Sequence, residues 1–251
     1  MILDDILKST EARVSRIEMK QDYDPGLGLC RLSDAIRCTV GKNAVIAELK
    51  YASPSSGSFS LSKNPEFMAK ELISAGCIGL SVLTEPYFFG GSTKMLEQIR
   101  RVAPVPILRK DFIIDERQIY ETRALGADAI LLIAKILGDR LPSFVDLSRS
   151  IGLEPLVEVH TPGEVDLALL SGATLCGINN RDLESMKINL NTTRQLSPRL
   201  RSEGCLVVSM SGIREPQDIR YLKADGDAFL IGSAIMQSRN PELSLEEFVC
   251  A

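Results

Sequence analysis

The chain has 251 residues, 45% of them hydrophobic, which is enough to bury one large core and argues against a disordered protein. Its net charge of −4 and the lack of any run of Lys or Arg argue against a nucleic-acid-binding surface. Positive charge therefore matters only where it is local, and a small anionic ligand fits better than a polyanion.

Residues 1–43 precede the first strand pattern. Within them, the amphipathic segment LDDILKSTEARVSRIEMK predicts an extra helix. The N-terminus carries acidic residues in its first turns and has no long apolar stretch, so it resembles neither a signal peptide nor a membrane span. We therefore expect a cytoplasmic protein that has no membrane partner.

Short apolar runs rich in Val, Ile and Leu then alternate with amphipathic stretches of helical length, as in βα units around a parallel sheet. There are about eight such runs, and they begin near Ala44 (AVIAELK), Cys77 (CIGLSVLT), Pro106 (PILRK), Asp128 (DAILLIA), Glu154 (EPLVEV), Thr174 (TLCGIN), Cys205 (CLVVSM) and Asp227 (DAFLIG). The stretches NPEFMAKELISAG, STKMLEQIRRVAP, DERQIYETRALGA and REPQDIRYLKA between them have apolar residues near the helical spacing. In SAGCIGL, ALGADAI and LSGATLC, a Gly is predicted to end the helix before the next strand.

Repeated βα units of this number predict a closed barrel. The predicted fold is therefore α/β, a single-domain (β/α)8 TIM barrel over residues 1–251, with residues 1–43 as an N-terminal helical extension. No linker or shift in composition divides the chain. The extension is expected either to cap the bottom of the barrel or to lie beside its mouth. The alternative is an open doubly wound sheet, which the absence of GxGxxG after the first run disfavours.

Cysteine and histidine usage bears on metal and redox chemistry. The chain has six cysteines but no CxxC pair, and Cys77, Cys176 and Cys205 lie in apolar runs, where they are predicted to be small core residues. Neither a disulfide nor a zinc site is expected. The single histidine, His160, cannot form a His-rich metal site, and we interpret it as a polar residue at a strand end.

Charged residues at the end of the first run are the first candidates for chemistry, because a barrel of this kind places its active site where the strands end. Glu48 and Lys50 are two residues apart and so project to the same face, which here is the barrel interior near its mouth. A buried ion pair is poor evidence for stability alone, so we favour a functional role for this pair.

The third run ends in a second lysine. Lys110 lies between Arg109 and Asp111, and strand alternation sends it to the opposite face from both neighbours. Alternation alone leaves open which face points inward.

The fifth and sixth runs add a carboxylate, amides and a further cation. Glu158 ends the fifth run, and Asn179, Asn180 and Arg181 end the sixth. Such mixtures divide acid and base chemistry between groups. Taken singly, each residue is equally compatible with a rim residue that caps a helix or solvates a loop.

The last two runs end in small residues. Ser211 and Gly212 follow the seventh run, while Gly232 and Ser233 follow the eighth and open a short predicted helix, SAIMQS. Small residues let backbone N–H groups approach a phosphate, and a helix N-terminus favours negative charge. The pair of motifs predicts a phosphate monoester as ligand, although either alone is compatible with a tight turn.

Seven segments in chain order resemble the indole-3-glycerol phosphate synthase family. They are ELKYASPSSG, SVLTEPYFFGGS, LRKDFIID, LVEVH, GINNRDL, SGI and FLIGSAIM, and they span most of the chain. The resemblance implies a TIM barrel with an N-terminal extension. It also implies a carboxy-lyase of tryptophan biosynthesis that converts 1-(2-carboxyphenylamino)-1-deoxyribulose 5-phosphate to indole-3-glycerol phosphate with loss of CO2 and water.

The resemblance also implies roles for individual residues. Its catalytic positions fall on Glu48, Lys50, Lys110, Glu158 and Asn179. Contacts with substrate or phosphate fall on Ser53, Pro54, Arg181, Ser211, Gly212, Gly232 and Ser233, with Phe112 and Leu183 packing against the anthranilate ring. No metal or organic cofactor is implied, and the partner is a small phosphorylated substrate. The oligomeric state is left open, with a monomer as one option.

Two residues depart from the family pattern. The segment after the seventh run usually reads Glu-Ser-Gly, but here Met210 takes the place of the glutamate and cannot accept a proton. Tyr51 stands where a basic residue is more usual, and it is expected to face away from the site. Segment 53–60, SPSSGSFS, is predicted to be a mobile loop that closes over substrate.

Two alternatives to the indole-forming lyase therefore stay open. The first is a phosphate-binding barrel that is catalytically impaired through Met210. The retained lysines and Glu158 argue against it, because a binding protein has no need of proton-transfer groups. The second is an aldolase-like enzyme in which Lys110 or Lys50 forms a Schiff base.

Overall fold

The computed structural model describes residues 2–17, 30–50, 52–53, 57–58 and 64–251. All eight predicted apolar runs form strands, and a separate two-stranded hairpin follows the first of them. The strands are β1 (Val45–Leu49), β2 (Ala52–Ser53), β3 (Gly57–Ser58), β4 (Gly79–Leu83), β5 (Ile107–Lys110), β6 (Ala129–Ile133), β7 (Glu154–Val159), β8 (Leu175–Asn179), β9 (Leu206–Met210) and β10 (Ala228–Ile231).

The strands other than the β2–β3 hairpin close into a parallel barrel in the order β1-β10-β9-β8-β7-β6-β5-β4. Closure is made by β1, where Ile46 lies in register with Gly79 of β4 on one side and with Leu230 of β10 on the other. The predicted TIM barrel is thus confirmed, and the open doubly wound sheet is wrong.

Helices connect the strands and precede the first one. They are α1 (Ile2–Val14), α2 (Leu32–Arg37), α3 (Pro65–Ser74), α4 (Thr93–Arg100), α5 (Glu116–Ala124), α6 (Ala134–Leu137), α7 (Leu141–Ser150), α8 (Pro162–Leu170), α9 (Asn191–Ser202), α10 (Pro216–Leu222), α11 (Ser233–Met236) and α12 (Pro241–Val249). Within the described ranges, no helix is both long and apolar enough to cross a bilayer.

Three helices end as the sequence predicts, at a glycine in the left-handed conformation. Gly76 follows α3 with φ of 94°, Gly126 follows α5 with φ of 83°, and Gly172 follows α8 with φ of 72°. L side chains rarely adopt these angles, so glycine turns the chain from each helix into the next strand without strain.

Alternate residues of the strands build two apolar layers. Ile46, Leu108, Leu156, Val208 and Leu230 belong to the cluster that fills the barrel interior. The intervening residues pack against the surrounding helices in two further clusters. The predicted core cysteines Cys77, Cys176 and Cys205 are indeed buried. This alternation leaves the last inward positions of several strands free to carry polar groups at the barrel mouth.

The outward face of β5 carries a buried polar network. Arg109 is fully buried, and its guanidinium lies 3.1 Å from Asp111 Oδ2 and 2.7 Å from Glu121 Oε2. It also donates hydrogen bonds to Thr84 Oγ1 and Thr122 Oγ1, both at 3.0 Å. The whole guanidinium is therefore matched by acceptors, as a buried charge requires.

Helix α1 is attached to this network at the barrel mouth. Arg13 donates hydrogen bonds of 2.7 and 2.6 Å to the two carboxylate oxygens of Asp111. Leu3 and Ile6 of the same helix line the pocket at the carboxyl ends of the strands. Of the two predicted positions for the extension, α1 therefore occupies the one beside the mouth.

Candidate active site

One pocket at the carboxyl ends of the strands gathers the predicted site residues except Ser53 and Pro54. Its lining includes Glu48, Lys50, Lys110, Phe112, Glu158, Asn179, Arg181, Leu183, Ser211, Gly212, Gly232 and Ser233. Ser53 lies in β2, but its side chain is outside the described residues, as are Pro54 and most of the predicted mobile loop 53–60. Tyr51 is outside them as well.

Two lysines converge on one carboxylate inside the barrel. Lys50 Nζ lies 3.0 Å from Glu48 Oε1, and Lys110 Nζ lies 3.5 Å from Glu48 Oε2. Lys110 thus shares the inward face with Leu108, which answers the question that alternation left open. Gly232 makes room for this cluster, because a Cβ at that position would lie 2.5 Å from Glu48 Oε1.

Within the cluster, burial and neighbouring charges shift the pKa values in opposite directions, and the effect of the charges is larger. Burial alone would raise the pKa of Glu48, but Lys50 and Lys110 outweigh it and lower the pKa to about 2. Burial likewise opposes the charge of Lys110, yet Glu48 and Glu158 raise its pKa above the usual range. At neutral pH the site therefore holds an ionised carboxylate and a protonated Lys110, which is a proton donor rather than a nucleophilic amine.

A second carboxylate lies on the inward face of β7. Glu158 Oε1 accepts a hydrogen bond of 3.0 Å from Asn179 Nδ2, while Asn179 Oδ1 accepts one of 3.0 Å from the Arg181 backbone N–H. His160 Nε2 lies 3.2 Å from the same Glu158 oxygen. Burial raises the pKa of Glu158, but His160, Lys110 and Asn179 together lower it below its usual value. Glu158 is therefore ionised and held from two sides.

The rim beside Glu158 carries a further cation. Arg181 is half-buried, and in the described ranges no carboxylate lies within ion-pair distance of it. Burial and the nearby Arg214 both lower the pKa of Arg181, which leaves its charge poorly compensated. A cation in that state favours an incoming anionic group.

The predicted phosphate region lies at the ends of β9 and β10. Ser211 has φ of 64° and Gly212 has φ of 88°, so the chain turns sharply at the end of β9. A Cβ at Gly212 would lie 2.4 Å from Ile188 Cγ2, so a side chain there would need the loop above to move. Ser233 begins helix α11, which follows the neighbouring strand β10. Both small-residue motifs therefore meet at one end of the pocket.

An apolar slot forms the other end. The rings of Phe89 and Phe112 lie with centroids 6.0 Å apart and planes tilted by 36°. Leu183 lines the same pocket, as do Leu3 and Ile6 of α1. An apolar lining of this kind suits a flat aromatic group, because it removes apolar surface from water.

A buried carboxylate fixes the loop that carries Phe89. Glu85 accepts hydrogen bonds from the backbone N–H groups of Tyr87 (3.0 Å), Phe88 (2.7 Å) and Phe89 (3.1 Å). The loop also needs Gly91, since a Cβ there would lie 2.3 Å from the Leu83 carbonyl oxygen. The aromatic wall is thus preformed by the backbone of its loop.

Met210, one of the two departures from the family pattern, lies below the pocket. It is 1% exposed and belongs to the barrel-interior cluster. Its Cε would lie 2.5 Å from a Cβ at Gly177, so the methionine fills the space above that glycine. Met210 closes the floor with apolar atoms and provides no polar group to the mouth.

Sequence reasoning missed several residues that line or support this pocket. Phe89, Leu3 and Ile6 line it, Arg13 fixes α1, and His160 contacts Glu158 rather than serving only as a polar strand end. The segment SVLTEPYFFGGS contains Phe89 and was a usable signal. The other contacts depend on tertiary structure.

A TIM barrel whose mouth combines two lysines, two ionised carboxylates and an end of small residues defines a class, the barrel enzymes that act on small phosphorylated substrates. The indole-3-glycerol phosphate synthase family model matches residues 2–248. The chain belongs to this family, as the sequence resemblance predicts. Its function is therefore that of a carboxy-lyase in tryptophan biosynthesis, forming indole-3-glycerol phosphate from 1-(2-carboxyphenylamino)-1-deoxyribulose 5-phosphate with loss of CO2 and water.

Individual relatives agree with the family match. The chain is 40% identical to the indole-3-glycerol phosphate synthase of Caldanaerobacter subterraneus subsp. tengcongensis over 256 residues, covering 99% of this chain and 98% of the relative. It is 46% identical to that of Acetivibrio thermocellus over 210 residues, covering 83% and 80%. A solved thiamine phosphate pyrophosphorylase from Pyrococcus furiosus shares the fold with a TM-score of 0.60 at 16% identity, covering 82% of this chain and 93% of that one.

Proposed function

We propose that Lys110 is the general acid of ring closure. In this step the aromatic carbon attacks the ketone of the ribulose moiety, and negative charge grows on the ketone oxygen. Support comes from the raised pKa of Lys110, which keeps its proton at neutral pH, and from its position between Glu48 and Glu158. Glu48 keeps Lys110 charged and pairs with Lys50. The same protonation argues against Lys110 as the Schiff-base lysine, because a nucleophilic lysine must be a free amine.

Decarboxylation follows ring closure and needs a cation that orients the carboxylate without holding it tightly. We assign this task to Lys50, Arg181 or both. Dehydration then requires a hydroxyl to leave with a proton and a second proton to be removed from the indoline. Glu158 takes part here together with a lysine, and Asn179 orients a hydroxyl, since it already holds the Glu158 carboxylate.

The two ends of the pocket suit the two ends of the substrate. The small residues Ser211, Gly212, Gly232 and Ser233, with Ser53 from the preceding loop, are proposed to bind the phosphate. Phe112 and Leu183, beside Phe89, are proposed to pack against the anthranilate ring, with Pro54 completing the substrate contacts. This arrangement extends the substrate across the cation cluster, so that the reacting ketone meets Lys110.

We also propose that residues 1–251 act as one domain, with 1–43 as its helical extension. The protein is proposed to work in the cytoplasm, on a small-molecule substrate and without nucleic acid or membrane partners; a monomer suffices, since one chain supplies every group assigned above.

The observation that carries these roles is the meeting of Lys50 and Lys110 on Glu48, opposite Glu158. The test is a turnover assay with 1-(2-carboxyphenylamino)-1-deoxyribulose 5-phosphate that follows indole fluorescence, with a Met210→Glu variant alongside. We expect product from the unaltered protein. Product from the variant alone would identify a phosphate-binding barrel disabled at position 210. If neither protein forms product although both still bind inorganic phosphate, the assigned chemistry would be overturned.

Borohydride treatment in the presence of substrate separates the lyase from the aldolase-like alternative. Reduction traps a Schiff base as a covalent adduct on lysine, and we expect none here. An adduct on Lys110 or Lys50 would instead make that residue a nucleophile.

A further inference from the structure

The single histidine of the chain lies between two carboxylates, only one of which belongs to the proposed machinery. His160 follows β7 directly, and its side chain is 6% exposed. Its Nε2 lies 3.2 Å from Glu158 Oε1, and its Nδ1 lies 3.0 Å from Glu164 Oε2 of helix α8. An imidazole with a carboxylate at each nitrogen is placed to carry a proton on both.

The Glu164 side of this arrangement is rigid. Glu164 Oε2 also accepts a hydrogen bond of 2.8 Å from the His160 backbone N–H. Its other oxygen lies 3.2 Å from Thr161 Oγ1, and the Glu164 backbone N–H returns a bond of 3.3 Å to that hydroxyl at the start of α8. Both the ring and its acceptor are therefore fixed by the junction between β7 and α8.

The Glu158 side is a charge contact rather than a directed hydrogen bond. Nε2 is at ion-pair distance from Oε1, but it is poorly aligned with it and has no hydrogen-bond partner in the described part of the chain. A buried donor without a partner is costly unless the charge interaction compensates for it. The contact is therefore stabilised by the attraction between a charged imidazolium and a charged carboxylate.

We propose that His160 is a positioning residue, whose cation holds Glu158 ionised and in place at the barrel mouth while Glu164 anchors the ring from helix α8. This inference rests on the proposed role of Glu158 and extends it to two residues outside the pocket. Burial opposes the charge on His160, but Glu158 and Glu164 outweigh it and raise its pKa to about 9. The imidazolium is therefore present throughout the neutral range.

Other charged groups surround this triad and define what the test must separate. Lys110 of β5 interacts with Glu158, and Arg181 after β8 interacts with Lys110. Lys135 of α6 interacts with Glu164 and with Asp182, and it pairs with Glu184 at 2.6 Å. Glu184 therefore offers a control, since it is a carboxylate that pairs with the same Lys135 and has no ion pair with His160 in the described ranges.

The first measurement is an NMR titration of uniformly 13C- and 15N-labelled, untagged protein. Because the chain has one histidine, its imidazole signal needs no assignment. We expect a midpoint near 9, because the two carboxylates raise the pKa of His160 against the opposing effect of burial. The midpoint should be lower in both Glu164→Gln and Glu158→Gln. Glu184→Gln should leave it unchanged. A free imidazole titrates near 6.5. A midpoint near that value, unchanged in Glu158→Gln, would overturn the proposal.

The second measurement is the pH profile of kcat/KM. Replacing His160 by Gln removes a cation beside Glu158 and so raises the pKa of Glu158. The acidic limb of the profile should therefore move up by roughly one pH unit, which is the lower end of the effect of one neighbouring charge. A uniform loss at every pH would show a merely structural role and contradict the inference. If the unaltered protein shows no turnover, the proposed roles fail, while the NMR titration still decides whether His160 holds Glu158.

Discussion

Strand β5 carries a buried cation on its outward face and a partly buried one on its inward face, and the two are surrounded differently. On the outward face, Arg109 has acceptors around its whole guanidinium and is fully buried. On the inward face, Lys110 faces the pocket and lies 3.5 Å from Glu48, one of whose oxygens accepts no hydrogen bond within the described ranges. The outer guanidinium thus has its donors matched by protein acceptors, whereas the inner lysine faces a pocket that can hold a ligand.

The difference shows how one strand serves stability and chemistry together. A buried charge whose hydrogen bonds are all made holds its surroundings in place, and breaking it is costly. A charge that faces an open pocket, with opposite charge nearby, is available for a developing oxyanion. Substitutions on the two faces should therefore separate stability from turnover.

The largest expected effect is on turnover, at Lys110. Lys110→Ala removes the proposed acid, and we expect kcat to fall by roughly 10³-fold or more, since general acid catalysis alone contributes 10²–10⁴-fold. Binding of inorganic phosphate, measured by calorimetry, should stay nearly intact. Equal loss of turnover and phosphate binding would make Lys110 a binding residue.

The next largest effect is on stability, at Arg109. Arg109→Met leaves Asp111 and Glu121 without their buried partner, and we expect the free energy of unfolding to fall by about 3–5 kcal/mol. Denaturant unfolding measures this change. The control is Arg117→Ala, which breaks an ion pair with Asp115 at the surface and should cost far less. Similar losses in the two variants would contradict the contrast between the faces.

The contacts of His160 at the barrel mouth and the outer network of Arg109 should also differ in their response to pH. The pKa of His160 is raised to about 9, so its contribution is complete below about pH 6.5 and is lost as pH rises through 9. We expect a fall in unfolding free energy on the order of 2 kcal/mol between pH 7 and 9 that is absent from His160→Gln. The pKa of Asp111 is instead lowered, so the outer network weakens only as pH falls into the acidic range. A flat profile for the unaltered protein between pH 7 and 9 would contradict the first half of this prediction.

The fold and most of the site were predictable because they depend on local patterns. Eight apolar runs, glycines at helix ends and polar residues at strand ends are all visible in the chain. The inward direction of Lys110 was not, because alternation gives two faces but only closure of the barrel decides that the Leu108 face is interior. Similarly, Met210 could be recognised as a missing carboxylate, but its packing over Gly177 needed the neighbouring strand.

The contacts that were missed join segments far apart in the sequence or in different elements. Arg13 and Asp111 are separated by 98 positions. His160 and Glu164 are only four apart, but they lie across a strand–helix junction, where the four-residue spacing of helices does not apply. No periodic pattern encodes either pair.

The smallest of the predicted effects tests whether the bond between Arg13 and Asp111 holds helix α1 in place as a wall of the pocket. Arg13 binds Asp111 on the outward side, while Leu3 and Ile6 of the same helix line the pocket. Arg13→Ala should therefore loosen the apolar end of the pocket and raise KM by roughly 10-fold, equal to about 1.4 kcal/mol, with kcat nearly unchanged because Lys110 stays in place. Steady-state kinetics measures the two constants. Arg16→Ala on the exposed side of the same segment is the control and should leave both unchanged. A fall in kcat with KM unaltered would mean that Arg13 acts on Lys110 through Asp111 rather than through the position of α1.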